Sequence, residues 1–138
     1  MRDSFASSFA CGLALVLATG AAAAEKPAAP GTSVEMPYLI APMAVDGKLT
    51  SYAYVSSIIV CSSPDAAVAI RNKVPFIQDA FVRDVNARPI AKVDDPQTVD
   101  EPALNARMLA DARKAGGAGN VVTIKFTQIQ VTPVRTGR

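Results

Sequence analysis

The stretch SPDAAVAIRNKVPFIQDAFVRDV, residues 63–85, decides the fold because it has the pattern of one long amphipathic helix. Its apolar residues recur at spacings of three and four, which places them along one side of a helix. They are Ile70, Val74, Ile77, Phe81 and Val85. Ser63 suits the N-cap, Pro64 the first helical position and Asp65 the positive end of the helix dipole. We therefore predict a helix over residues 63–85 that buries this stripe.

Pro75 lies inside this helical pattern. Because proline lacks a backbone N–H and its ring clashes with the preceding turn, it kinks or divides a helix. The apolar stripe nevertheless passes through Pro75 without a change of phase. We therefore expect one packed unit that bends at this residue.

The residues before the helix have the pattern of a hairpin. Residues 34–44 are expected to be extended, with their prolines restricted to an edge or to strand ends. Asp46-Gly47-Lys48 is a turn signal, and residues 49–61 alternate as a strand does. Near Cys61 both faces of this strand are apolar, which predicts a central strand that is covered on both sides there.

The residues after the helix predict a loop, a second helix and a last strand. The loop covers residues 86–97, and the second helix covers residues 98–115, with Asp100 as its cap and Gly116-Gly117 at its end. Residues 120–134 form the strand. Its alternation changes parity near Thr127-Gln128, which predicts a β-bulge.

This order of elements predicts an α+β fold. The hairpin and the C-terminal strand form a small antiparallel-containing sheet, packed against the long proline-kinked helix and the second helix. The two ends of the domain must then pair across the helical region.

The first 24 residues have the features of a signal peptide. Residues 9–17 are apolar, and Ala21 to Ala24 provide the small residues of a cleavage site, so we expect cleavage after Ala23 or Ala24. The alternative is an uncleaved membrane anchor, because Phe5 to Ala24 is long enough to span a bilayer. We expect a flexible tether over residues 25–33, one exported domain over residues 34–134, and a tail over residues 135–138.

Composition argues against an enzyme. The 138 residues include no histidine, which removes the commonest general base and zinc ligand. We identify no catalytic, cofactor-binding or metal-binding residues. The net charge of +2 is too small to indicate nucleic acid as a partner. Cys61 would be the one cysteine of the cleaved chain, and we interpret it as a small buried hydrophobe rather than a reactive thiol.

Two segments have a composition that also occurs in binding sites. Asp94-Asp95 and Asp100-Glu101 could hold Ca²⁺, although solvated loop acids and a helix cap fit their spacing better. Residues 116–119, GGAG, resemble a phosphate loop in composition. They follow a helix and precede a strand, which is the reverse of the order that a phosphate loop needs, so we interpret them as a helix stop.

Two sets of surface candidates remain. Tyr52 and Tyr54 share a strand face, where they could form an exposed aromatic patch for a partner; we expect cross-strand core packing instead. A helix face that mixes cations with carboxylates is expected to be solvated. Its members are Arg71, Lys73, Asp79, Arg83, Asp84 and Arg88.

Two segments resemble a known family. Residues 73–81, KVPFIQDAF, resemble the amphipathic helix of the flagellar basal-body-associated FliL proteins, in which a proline precedes an apolar residue and an aspartate. Residues 121–130, VVTIKFTQIQ, are similar to that family's closing strand. The resemblance covers residues 34–131.

The resemblance implies a periplasmic domain with a fold like the SPFH domain of stomatin. It implies a non-enzymatic accessory role in motility, with stator proteins of the flagellar motor and further copies of the chain as partners. A contact with the membrane is expected only if the leader is not cleaved. The alternative is a periplasmic protein of the same fold that binds a small ligand or acts at the envelope, unrelated to motility.

Overall fold

The computed structural model describes residues 31–135. The elements follow one another as β1 (Ser33–Glu35), β2 (Leu39–Val45), β3 (Lys48–Cys61), α1 (Pro64–Ala87), α2 (Glu101–Gly116) and β4 (Val121–Pro133). The four strands form one open antiparallel sheet, and the helices pack against it. The predicted α+β fold is therefore confirmed.

The central strand is β3, as the sequence predicts. It pairs with β1 and β2 along one side and with β4 along the other. The side chains that point to the helices are buried, namely Ser51, Ala53, Val55, Ser57, Ile59 and Cys61. Ile58 and Val60 point the other way and are only half-buried. The predicted cover on both faces is therefore wrong within residues 31–135, where both helices lie on one face.

The predicted hairpin forms between β2 and β3. Asp46 and Gly47 both have positive φ, 51° and 76°, as a tight two-residue hairpin turn requires. The predicted extended stretch of residues 34–44 is divided, however. Residues 36–38 separate β1 from β2, and Pro37 lies in this break, where no ladder hydrogen bond is lost.

The bulge predicted near Thr127-Gln128 is present. Ser56 lies opposite Gln128, while the next residue, Ser57, lies opposite Phe126. Thr127 is thus the extra residue, and it accounts for the change of parity seen in the sequence.

The long helix, α1, begins as predicted. The Ser63 hydroxyl accepts a hydrogen bond from the Ala66 backbone N–H at 3.0 Å. The helix continues to Ala87 and is not divided at Pro75; the bend at this residue stays a prediction. The apolar stripe faces the sheet, since Ile70, Ile77, Phe81 and Val85 are buried and Val74 is half-buried.

The second helix, α2, starts three residues later than predicted, at Glu101 instead of Thr98. The Asp100 carboxylate caps it by accepting from the Ala103 backbone N–H at 3.3 Å. The helix ends at Gly116, which packs closely on α1. A Cβ atom there would lie only 2.5 Å from Ile70 Cδ1.

The predicted signal peptide, residues 1–24, lies outside the described residues, as do residues 25–30 and 136–138. The predicted tether is wrong at its C-terminal end. Thr32 is buried and its carbonyl accepts from the Cys61 backbone N–H at 2.7 Å, and Ser33 already belongs to β1. Among residues 31–135 no helix has the length and apolar character needed to cross a membrane.

Candidate interaction site

The face of the sheet that points away from the helices, here called the open face, carries an aromatic patch. Tyr38, Ile40 and Tyr54 have exposed fractions of 69%, 51% and 37%. Ile40 and Tyr54 lie directly opposite each other on β2 and β3, so their side chains share this face. We call these three residues the aromatic patch.

The patch borders a shallow depression of about 260 Å³. Tyr38 and Tyr54 line it together with Gln128 and Gln130 of β4. Gln130 is the β4 partner of Tyr54, so the depression crosses from one edge of the sheet towards the other. Apolar rings next to amide groups are a composition that protein-binding surfaces use, because the rings supply contact area and the amides supply hydrogen bonds.

The expected core packing of Tyr52 and Tyr54 is wrong. Tyr54 lies on the open face, and Tyr52 shares that face and is half-buried. The sequence predicts that the two rings share a face, and they do. It does not indicate which face the helices cover, and this decides whether the rings are core or surface.

A second concave site is a groove of about 520 Å³ between α1 and α2. Its floor contains small side chains, Ala80, Ala87 and Ala115. Charged side chains surround them, namely Asp79, Arg83, Asp84, Arg88, Asp111 and Lys114.

The most buried charge at this groove is Asp84, with an exposed fraction of 8%. Its Oδ2 accepts a hydrogen bond from Arg107 Nε at 2.8 Å, and Arg107 Nη2 lies 2.7 Å from the same oxygen. Its Oδ1 is paired with Arg88, the residue that directly follows α1. Arg107 also donates to the Pro89 carbonyl at 2.8 Å. Asp84 therefore ties α2 to α1 and to the loop that follows α1.

Asp111 stands on α2 beside this cluster. Burial raises the pKa of its carboxyl, and the negative charge of Asp84 raises it further, against the opposing effect of Arg88, Arg107 and Lys114. Carboxyl groups whose pKa is raised by burial and by a like charge occur both in structural ion networks and in binding sites.

The mixed helix face is solvated, with one exception. Arg71 and Lys73 are exposed, and Arg83 pairs with Asp79 at 2.8 Å with side-chain exposures of 80% and 57%. Asp84 is the exception, because it is buried rather than solvated. Asp84 follows Ile77 by seven residues, or two helical turns, and so lies on the apolar stripe. This spacing could have predicted its burial, although the alternating charges suggested a solvated face.

The paired acidic residues serve the local backbone. Asp95 accepts from the Gln97 backbone N–H at 3.2 Å and from the Thr98 hydroxyl, and Asp100 caps α2. In the described part of the chain, no three His, Cys, Asp or Glu side chains gather as a metal site would require. Gly116 and Gly117 end α2, as the helix-stop interpretation predicts.

Cys61 is buried at the end of β3, with an exposed fraction of 4%. Burial raises the pKa of its thiol, although the positive charge of Arg71 acts in the opposite direction. Its Sγ lies 3.9 Å from the Ile59 carbonyl oxygen.

We expect Cys61 to react slowly with thiol reagents in the folded protein. At mildly alkaline pH the reaction should be at least about tenfold slower than in urea-unfolded protein, because burial withholds both the thiolate and access to it. The colour released by an aromatic disulfide reagent measures both rates in a chain that starts after Ala24 and so contains no thiol other than Cys61. Equal rates would contradict the buried position.

Comparison with models of known protein families and with curated protein sequences finds no match.

Proposed function

We propose that this chain is a non-enzymatic, exported protein of the FliL type that acts in the periplasm as an accessory of the flagellar motor. In this proposal it works by contacting stator or other motor proteins, and it holds no cofactor.

The observation that carries the contact role is the aromatic patch. Tyr38, Ile40 and Tyr54 present rings and aliphatic surface to solvent on a face that neither α1 nor α2 covers. Clustered exposed apolar residues are a recurrent feature of protein interfaces, where burying them is favourable by roughly 25 cal/mol per Å². Three further apolar side chains, Val68, Phe76 and Val82, are exposed on α1.

The motor assignment is supported by the two segments that carry the resemblance. Residues 73–81 lie in α1, with Ile77 and Phe81 in the core and Phe76 on the surface. Residues 121–130 lie in β4, which pairs with β3 at one edge of the sheet. That one segment is helical and the other is a strand supports the proposal.

Deletion of the gene should reduce the swimming of a flagellated host in soft agar. Complementation with the wild-type chain should restore it, whereas Ile40→Ser with Tyr54→Ser should not, because the patch is lost. Val93→Ser is the matched control, since Val93 is fully exposed in a loop outside the patch. Stator proteins should co-purify with the wild type and the control. Normal swimming of the deletion strain, without co-purification, would refute the motor role.

The alternative function is the binding of a small ligand, and the groove between α1 and α2 is the observation that favours it. Its volume of about 520 Å³ is in the range of small-molecule sites. Normal swimming of the deletion strain, together with a ligand-dependent rise in the melting temperature of the purified protein, would support this alternative.

A further inference from the structure

The two halves of β4 differ at the edge that faces away from β3. In the first half, side chains of α2 occupy the outward carbonyls. Asn105 Nδ2 donates to the Ile124 carbonyl at 2.9 Å, and Arg113 Nη2 donates to the Val122 carbonyl at 3.0 Å. Another strand cannot pair there without displacing these contacts.

The second half of β4 has an open edge. The Val134 backbone N–H donates to the Thr50 carbonyl at 2.9 Å, so Val134 faces β3. In an antiparallel strand the backbone N–H and C=O groups of successive residues point alternately to the two sides. Those of Gln130 therefore also point to β3, whereas those of Ile129 and Val131 point outward. Within residues 31–135, β4 pairs only with β3.

This open edge lacks the usual protection against pairing. Residues 127–134, TQIQVTPV, contain no charged side chain. Natural edge strands are commonly protected by lysine, proline or a bulge. Here Pro133 and the bulge at Thr127 protect only the two ends, and they leave residues 128–132 as a short window for one further strand.

We propose that residues 128–132 pair with the same residues of a second copy, antiparallel about a two-fold axis at Gln130. This register sets Ile129 opposite Val131 of the second copy, so that the outward backbone groups of both form hydrogen bonds. It also sets Gln128 opposite Thr132 of the second copy. Apolar side chains thus meet apolar ones, polar ones meet polar ones, and two four-stranded sheets join into one of eight strands.

The self-complementary window argues for a second copy over another occupant. Ile129 and Val131 are half-buried at the margin of the core, and the pairing would cover their remaining exposed surface. The first described residues lie away from the window. Thr32 contacts Cys61 at one end of β3, whereas the window lies beside residues 52–56. The inference concerns the purified protein alone and does not rest on the proposed motor function.

Sedimentation equilibrium of the purified native protein tests the dimer. The wild type should form a concentration-dependent dimer and no larger ring. Gln130→Lys sets two like charges opposite each other at the two-fold axis, and it should weaken dimerisation about tenfold or more. Gln130 is exposed, so the monomer should keep its fold. Val122→Lys is the control, because Val122 is exposed in the half of β4 that α2 closes, and its dimer should be unchanged.

A charge swap separates loss of pairing from misfolding. Gln130→Lys and Gln130→Glu should each be monomeric, and an equimolar mixture of the two should recover a heterodimer. A wild type that stays monomeric up to its solubility limit would overturn the proposal. A dimer that persists in Gln130→Lys would also overturn the proposal, because the two chains would then associate through another surface or through residues 1–30.

Discussion

Phe81→Ala is expected to lower the free energy of unfolding by about 3–5 kcal/mol, the range found when a large buried aromatic side chain is truncated. Phe81 is completely buried and is the largest fully buried side chain among the described residues. It lies on α1 between Ile77 and Val85 and faces the sheet. The substitution removes apolar contact and leaves a cavity that the packed neighbours can fill only in part.

Phe76→Ala is the matched control, since Phe76 lies on the same helix with an exposed fraction of 68%. Its replacement should change the free energy of unfolding by less than about 1 kcal/mol. Urea melts of both variants, with circular dichroism as the signal, measure the two values. A loss below about 1 kcal/mol for Phe81→Ala would show that Phe81 does not fill the core.

This contrast between Phe76 and Phe81 could be predicted from the sequence. A helix repeats its faces every three to four residues, so the spacing alone separates the stripe of Phe81 from the face of Phe76. The same local logic predicts the Ser63 and Asp100 caps, the turn at Asp46-Gly47 and the bulge at Thr127. Each of these depends on residues that are close together in the chain.

What the sequence did not indicate depends on contacts between distant residues. Tyr54 and Val55 alternate in the strand as any half-buried pair does, and only the packing of α1 and α2 decides which of them is core. Likewise, the pairing of Ser33 with Val60 orders a residue that local composition assigns to a tether. For this reason the sequence offered Tyr54 as a candidate for an exposed aromatic patch but did not place Tyr38 and Gln130 beside it, since the three residues come from separate parts of the chain.

Asp84→Ala is expected to destabilise the protein by about 3–5 kcal/mol, because it removes one partner of a buried ion pair. The Asp84 side chain is 5% exposed and that of Arg107 only 18%. Without the carboxylate, Arg107 would keep a partly buried charge that has lost its ion-pair partner, although it still donates to the Pro89 carbonyl and lies near Asp111. Arg88 would suffer less, since its side chain is 57% exposed and water can replace the lost partner.

Asp79→Ala is the matched control for Asp84→Ala. Asp79 also pairs with an arginine four residues later, but both side chains of its pair with Arg83 are exposed, so the loss should be below about 1 kcal/mol. Urea melts of the two variants compare the same chemical change at a buried and an exposed position of one helix.

The double variant Asp84→Leu with Arg107→Met tests whether the loss comes from an unpaired charge. When both partners are removed, neither Asp84 nor Arg107 leaves an unpaired charge behind. The loss of stability in the double variant should therefore be smaller than the losses of Asp84→Leu and Arg107→Met added together. If instead the two changes are additive, or if Asp84→Ala costs no more than Asp79→Ala, then Asp84 does not join α1 to α2.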